Sequence, residues 1–166
     1  MASTQDSLDP IVTLKNVLKS EKRPRSPKTA TGVPGVIKRA VLLGTGSYNP
    51  IHRMHVEMFD AAADYLMKIG WDVLAGFISP SADHYVGRKL GEEAILFEAR
   101  CEMVKLAIQE REKKNPHVLP IRVHTWEGRQ PVFVDFPDVH DEISKQIASE
   151  FPQANITVLY LCGMDL

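Results

Sequence analysis

From residue 36 onward, short apolar runs alternate with longer segments of helical periodicity, and this alternation constrains the fold more than any other feature of the chain. Residues 36–43 end in a continuous apolar run, which is typical of a strand buried on both faces. The same reasoning predicts further strands at residues 72–78, 118–124 and 156–161, and helices at residues 52–69, 92–114 and 137–150. This alternation predicts an α/β fold, a parallel sheet with helices on both faces.

The predicted sheet is Rossmann-like, with its strands in the order 3-2-1-4. In such sheets a ligand binds beyond the carboxyl ends of the strands, where the strand order reverses. That position lies between the loops after the first and fourth strands, residues 44–52 and 162–165. Two other connections are predicted without regular structure, a long polar loop at residues 79–91 and an irregular segment at residues 126–135. The topology therefore predicts a ligand crevice flanked by the loops at residues 44–52 and 162–165.

The first 35 residues differ in composition from the rest of the 166-residue chain, which is long enough for one domain with a core. Residues 11–18 have the spacing of about two turns of amphipathic helix. Residues 19–35 are rich in proline, serine, glycine and positive charge, and such a segment buries too little to offset its ordering entropy. We therefore predict a flexible polar and basic leader over residues 1–35, followed by one nucleotide-binding domain over residues 36–166.

Charge, cysteine content and hydropathy restrict the partners and the compartment. The formal net charge of −1 gives no overall attraction to nucleic acid or to a membrane, so a phosphate ligand needs a local site. Cys101 and Cys162 lack a CxxC spacing, which fits a reducing compartment. No apolar run approaches the roughly 20 residues that span a bilayer. We expect an intracellular protein of the cytoplasm or nucleus, since the basic run at residues 22–25 suits either a nuclear address or a solvated linker.

The loop after the first predicted strand, Gly44-Thr-Gly-Ser-Tyr-Asn, contains most of the chemical information. It is not a dinucleotide fingerprint, because Asn49 and Pro50 stand where the third small residue belongs. It is not a P-loop either, because no Gly-Lys-Ser/Thr follows. A hydride-transferring dehydrogenase and a P-loop kinase are therefore unsupported. What the loop does offer is Gly46, where a bulky ligand could approach the backbone closely.

His52 and His55 follow this loop, three residues apart on one face of the first helical turn. A helix start presents free N–H groups and a positive dipole, which favour a phosphate. Two imidazoles beside it could stabilise charge on a transferring phosphoryl group. Such a pair by itself also fits a packing or surface role, and a zinc site would need a third ligand that no HExxH or cysteine supplies. The order of strand, glycine loop and His-x-x-His favours the phosphate-transfer interpretation.

Four segments, taken in order, resemble one enzyme family. Gly46-Ser-Tyr-Asn-Pro-Ile-His-Arg-Met-His55 resembles the signature of nucleotidyltransferases with a His-x-Gly-His or related element, and is most similar to the eukaryote-type nicotinamide/nicotinate mononucleotide adenylyltransferases. The other three segments are Ile78-Ser-Pro-Ser-Ala-Asp-His-Tyr85, Val123-His-Thr-Trp-Glu127 and Leu161-Cys-Gly-Met-Asp-Leu166. The resemblance covers about residues 36–166, and residues 128–154 match only loosely.

The resemblance implies that the 5′-phosphate of a mononucleotide attacks the α-phosphate of ATP, giving NAD or its deamido form and pyrophosphate. Mg²⁺ neutralises the phosphates, and no covalent intermediate forms. His55 would contact the ATP phosphates and the transition state, with His52 beside it. The resemblance also implies a set of substrate-binding residues: Gly46, Ser47 and Tyr48 along the crevice, Arg88 and Lys89 at a phosphate, Trp126 against the pyridine ring, and Gly163 with Asp165 against ATP.

Structural roles stay open for several of these residues. Tyr48 and Trp126 could pack in the core, because aromatic side chains usually bury area. Arg88 and Lys89 could be solvated charges of a loop. Asp165 could be a solvated acid near the end of the sequence.

The family's later part supplies further strands, a second aromatic residue for the ring and a Ser/Thr-Arg element that binds ATP phosphates. This sequence ends before those features, so we expect a domain incomplete at its C-terminal end and weak or absent activity. The fourth strand would then have an open edge, and a homo-oligomer is one way to cover it. Two other functions stay open: transfer to another acceptor such as phosphopantetheine, and a non-catalytic nucleotide-binding remnant or interaction module.

Overall fold

A computed structural model describes residues 9–20 and 38–163, and within these ranges four strands alternate with five α-helices. The elements in chain order are α1 (Pro10–Lys19), β1 (Lys38–Gly46), α2 (Arg53–Lys68), β2 (Trp71–Pro80), α3 (Asp83–Leu90), α4 (Phe97–Lys114), β3 (Ile121–Val123), α5 (Phe136–Glu150) and β4 (Ile156–Tyr160). Two short 3₁₀ helices, Gly91–Glu93 and Glu127–Arg129, precede α4 and follow β3.

The four strands form one parallel sheet in the order β3-β2-β1-β4, which confirms the predicted Rossmann-like α/β fold and strand order. β1 lies between β2 and β4 and is buried along most of its length, as its continuous apolar run predicted. Because all strands run the same way, the loops that follow β1, β2 and β4 leave the sheet at the same edge. That edge is where the topology predicts a ligand.

Each face of the sheet is covered by two helices. On one face, Phe59 of α2 and Val104 of α4 pack in a cluster with Leu42 of β1. On the other face, Leu14 of α1 and Ile143 of α5 belong to a second cluster with other β1 residues. Alternate residues of β1 enter opposite clusters, as the period of two in a strand requires.

Helix α1 is part of the folded domain, so for residues 10–19 the structure differs from the predicted flexible leader. Asp9 caps this helix, because its Oδ1 accepts the backbone N–H groups of Ile11 and Val12 at 2.8 and 2.9 Å. The apolar face of α1 packs on β2 and β3, beside α5. The remainder of the predicted leader, residues 1–8 and 21–35, lies outside the described residues.

The segment predicted as a polar loop at residues 79–91 is mostly regular. β2 continues to Pro80, and α3 then covers eight residues, with Val86 as its buried anchor. Gly91 ends α3 at a φ of +58°, a conformation that favours glycine. The prediction failed because a polar helix with one buried position has no apolar periodicity to detect.

Helix α4 begins at Phe97, not at residue 92 as predicted. The side chain of Asn49 holds the preceding segment out of the helix: its Nδ2 donates to the Glu93 carbonyl at 2.9 Å, and its Oδ1 accepts from the Ile95 N–H at 2.7 Å. A contact between residues so distant in sequence cannot be inferred from a local pattern. Over residues 9–20 and 38–163, no helix is long and apolar enough to cross a membrane.

Candidate active site

The connection from β1 to α2 lies at the carboxyl edge of the sheet and contains unusual backbone. Tyr48 has a φ of +45°, which is uncommon for a residue other than glycine, and the Asn49–Pro50 peptide bond is cis. The segment is bound to its neighbours, since the Ser81 N–H donates to the Gly46 carbonyl at 2.9 Å. This connection ends at His52, the N-cap residue of α2.

The structure brings His52 and His55 together as predicted, with their rings stacked at a centroid distance of 3.5 Å and an interplanar angle of 24°. The backbone N–H of His52 donates to Nδ1 of His55 at 3.2 Å. Because Nδ1 accepts that bond, the proton of the neutral ring is assigned to Nε2. Nδ1 of His55 thus accepts a hydrogen bond from the backbone at the start of α2, and its Nε2–H is available to donate a hydrogen bond.

Partial burial lowers the pKa of His55 below its ordinary value, and the neighbouring His52 lowers it further. The neutral ring, which is the form that can accept the His52 N–H, is therefore favoured at neutral pH. The edge of the Tyr48 ring supports His55, with centroids 5.1 Å apart at 89°. This arrangement can donate a hydrogen bond from a fixed neutral imidazole beside the N-terminus of α2.

The side chain of Tyr48 is 7% exposed and packs in the core, which agrees with the packing role that stayed open for it. Burial raises the pKa of its hydroxyl well above the usual range.

Packing does not require glycine at Gly46, because an added Cβ would lie 3.5 Å from the Tyr48 ring, an ordinary contact. Among the described residues, Oγ of Ser47 is buried and has no hydrogen-bond partner.

Arg88 and Lys89 lie in the last turn of α3, on a helix and not on the predicted loop. Together with His84, Tyr85 and Phe133 they line an open groove of about 570 Å³. The rings of Tyr85 and Phe133 stack there with centroids 5.1 Å apart. The groove thus combines exposed positive charge with an aromatic pair.

Trp126 is half-buried and packs against the cluster that contains α1 and α5. It lines a pocket with Asp9, Pro10 and Gln146, and this pocket shares no lining residue with the Arg88–Lys89 groove. Within the part of the chain that the structure describes, Trp126 and the Arg88–Lys89 pair thus line two separate cavities, and neither of these two is lined by His52 or His55.

The chain leaves β4 beside the loop after β1, as predicted. The Leu161 N–H donates to the Leu43 carbonyl at 2.7 Å, and the hydroxyls of Thr45 and Tyr160 are 2.6 Å apart. Gly163 follows and is exposed, as the last described residue. Asp165, which was predicted to contact ATP, lies outside the described residues.

The model of the cytidylyltransferase-like family matches residues 43–158, which contain the end of β1, His52 and His55, all of β2 and β3, and the start of β4. The chain belongs to the cytidylyltransferase-like family. The relatives that this chain is similar to are mononucleotide adenylyltransferases, the proteins that its four sequence segments resemble.

A nicotinamide/nicotinic acid mononucleotide adenylyltransferase of Arabidopsis thaliana is 31% identical over 128 residues, covering 76% of this chain and 49% of that protein. A protein of the same name from Oryza sativa subsp. japonica is 32% identical over 156 residues, covering 90% of this chain and 55% of that protein. Nicotinamide/nicotinic acid mononucleotide adenylyltransferase 2 of Xenopus tropicalis is 38% identical over 92 residues, covering 54% of this chain and 26% of that protein. The chain thus spans about half the length of the two plant relatives.

Sequence reasoning missed two buried charged residues of this cytidylyltransferase-like domain. Arg100 of α4 is fully buried, and Glu127 is 5% exposed. Oγ of Ser79 donates to Glu127 at 2.7 Å, and burial raises the pKa of this carboxyl. The sequence does contain one indication that Arg100 is buried: it lies within the apolar face of α4, three residues after Phe97 and four before Val104.

Gly128, next to Glu127, is required by packing. A Cβ on Gly128 would lie 1.8 Å from Cε2 of the buried Phe97 ring, so Gly128→Ala is expected to lower the free energy of unfolding by about 1–3 kcal/mol through overpacking. Gly87→Ala is the matched control, because nothing lies within 4 Å of its Cβ and alanine favours a helix. Urea denaturation should show Gly128→Ala less stable and Gly87→Ala no less stable than the wild type; equal midpoints for the two variants would contradict the tight packing at Phe97.

The described residues contain no group of three or more His, Cys, Asp and Glu side chains that could hold a metal ion.

Proposed function

We propose that this chain carries the ATP-phosphate side of an adenylyl-transfer site that joins AMP from ATP to nicotinamide or nicotinate mononucleotide, giving NAD or its deamido form and pyrophosphate. The observation that supports this most is the stacked His52–His55 pair at the N-terminus of α2, beyond the carboxyl end of β1. The relatives named as mononucleotide adenylyltransferases support the choice of acceptor.

In this proposal His55 stabilises the charge that develops on the α-phosphate. Nδ1 stays bound to the His52 N–H, and Nε2–H donates to a phosphate oxygen as the 5′-phosphate of the mononucleotide attacks and pyrophosphate leaves. The start of α2 adds a positive dipole. A fixed neutral donor suits this role, because it needs no reorganisation as the reaction proceeds.

Mg²⁺ enters this proposal as part of the substrate. It takes oxygen ligands and commonly binds through substrate phosphates, so Mg·ATP needs no cluster of protein carboxylates. Arg88 and Lys89 are proposed to bind a phosphate, Trp126 to contact the pyridine ring, and Gly46, Ser47, Gly163 and Asp165 to face ATP. The partners are therefore ATP and the mononucleotide, without nucleic acid or membrane.

The proposal also covers the domain organisation of the chain and the cellular location of the protein. Residues 36–166 form the catalytic domain, and helix α1 docks on it from the segment that precedes them. Among the described residues β4 pairs with β1 alone, and a second copy of the chain could pair with its other edge. The cytoplasm or the nucleus is the expected location.

The test is dinucleotide formation by the purified chain with ATP, Mg²⁺ and either mononucleotide. We expect dinucleotide and pyrophosphate in equal amounts, and neither product when phosphopantetheine replaces the mononucleotide. A folded chain that neither binds ATP nor forms dinucleotide would refute the proposal. ATP binding without turnover would instead support a non-catalytic nucleotide-binding module.

A further inference from the structure

Arg100 is the largest fully buried side chain among the described residues, with a relative exposure of 0%. Its guanidinium makes four hydrogen bonds: Nε to the Ile95 carbonyl at 2.8 Å, Nη1 to the Ser47 carbonyl at 2.8 Å, and Nη2 to the Ser81 carbonyl at 2.7 Å and to Oδ1 of Asp83 at 3.0 Å. Burying a cation is costly, and the half-exposed Asp83 compensates it only in part. Most of the compensation therefore comes from three backbone carbonyls.

These carbonyls belong to three different segments of the chain. Ser47 follows β1, Ser81 follows β2, and Ile95 precedes α4. Asn49 binds the segment before α4 to the loop after β1, and the Ser81 N–H binds the loop after β2 to the end of β1. Over residues 9–20 and 38–163, Arg100 is the one side chain that hydrogen-bonds all three segments, so it joins them into a single unit beneath the candidate site.

The Ser47 carbonyl is connected to His55 through the residue that follows Ser47. Tyr48 follows directly, has the left-handed φ of +45°, and places its ring edge against His55. A left-handed residue other than glycine costs about 1–2 kcal/mol, so this conformation persists only where surrounding contacts hold it. The hydrogen bond from Arg100 to Ser47 is one of those contacts. Loss of this bond would release the support of the His55 ring.

We propose that Arg100 is a positioning residue for adenylyl transfer: its buried guanidinium holds the loops after β1 and β2 in the arrangement that fixes His55 at the start of α2. This inference rests on the proposed function, but it makes a separate structural claim about His55. Arg100 does not touch the substrate and acts through Ser47 and Tyr48.

The test compares Arg100→Lys with Arg122→Lys. Lysine keeps the charge but cannot reproduce the planar fork that reaches several acceptors at once. Arg122 of β3 is a matched control: its side chain is 14% exposed, its Nε donates to Oγ1 of Thr13 at 2.9 Å, and its Nη1 donates to Oε1 of Glu112 and to the Ile121 carbonyl, both at 2.6 Å. Both changes remove a forked contact, but these contacts of Arg122 reach α1, α4 and β3, whereas Arg100 binds the loop that precedes the histidines.

Two readouts are measured on each folded variant. Arg100→Lys should lower kcat for dinucleotide formation by about 10- to 100-fold, with a much smaller change in the KM for ATP, because a small misplacement of a catalytic group mainly slows the chemical step. Proton NMR should show the His55 resonance displaced and its pKa moved toward the ordinary value for histidine, since the ring loses its buried setting. Arg122→Lys should leave both readouts unchanged.

An Arg100→Lys variant with wild-type kcat would overturn the proposal, and so would a lower kcat with an unchanged His55 titration. If the wild-type chain forms no dinucleotide, the proposed function fails, and the His55 titration alone decides whether Arg100 positions it. If Arg100→Lys does not fold, Asn49→Ala loosens the same unit without removing any hydrogen-bond partner of the buried Arg100. An unchanged His55 titration in that variant would then overturn the proposal.

Discussion

Replacement of His55 by alanine is expected to lower kcat for dinucleotide formation by about 10²–10³-fold, the usual effect of removing one preorganised donor from a developing negative charge. The structure supports an effect of this size because the ring is held on three sides, by the His52 ring at 3.5 Å, by the Tyr48 edge at 5.1 Å and by the hydrogen bond to Nδ1. The measurement is steady-state turnover with saturating Mg·ATP and mononucleotide.

His55 also helps to cap α2, and His55→Asn separates the two roles. The asparagine Oδ1 can take the place of Nδ1 as acceptor of the His52 N–H, whereas no atom replaces Nε2. This variant should therefore keep more of the wild-type stability than His55→Ala and yet be equally slow. His117→Ala, a change to an exposed histidine in the connection before β3, should leave kcat unchanged. Turnover by His55→Ala equal to that of His117→Ala would contradict the role assigned to His55.

Replacement of Leu14 by alanine is expected to lower the free energy of unfolding by about 2–5 kcal/mol, the range for truncation of a fully buried leucine. Leu14 has a relative exposure of 0% and lies in the cluster formed by α1, α5 and the sheet. Next to it, Oγ1 of the buried Thr13 accepts a hydrogen bond from Nε of Arg122 at 2.9 Å. Helix α1 is therefore bound to the domain by both apolar and polar contacts.

Lys15→Ala provides the control, because Lys15 is exposed on the same helix and alanine is an equally good helix former. Its free energy of unfolding should stay within about 0.5 kcal/mol of the wild type. Urea denaturation followed by circular dichroism gives both values. If Leu14→Ala and Lys15→Ala unfold at the same urea concentration, α1 does not contribute to the stability of the domain.

The sheet and the histidine pair could be predicted from sequence because both depend on local patterns. A continuous apolar run indicates a strand buried on both faces, as β1 is, and helical periodicity indicated the segments between the strands. The spacing of His52 and His55 places them on one helical face irrespective of the rest of the fold. The strand order followed from general rules of connection in parallel sheets, and the structure has that order.

The features that sequence reasoning missed depend on long-range contacts. An amphipathic pattern at residues 11–18 indicates that one face of a helix is apolar, but it does not say which surface that face covers. Helix α4 starts late because Asn49 binds residues more than forty positions away. The side chain of Tyr48 packs in a core cluster that also contains Phe97 and Val104 of α4, which are distant in sequence.

The sequence alone thus determined the class of fold, the edge of the sheet where the proposed site lies, and the pair of imidazoles placed there. Only the tertiary structure decided that α1 belongs to the domain and that Arg100 is buried beneath the site. The physical reason is that the partners of Arg100 are mainly backbone carbonyls, those of Ser47, Ser81 and Ile95. Every residue has a carbonyl, so its identity contains no signal of such a contact, and only the folded chain brings these three groups to one guanidinium.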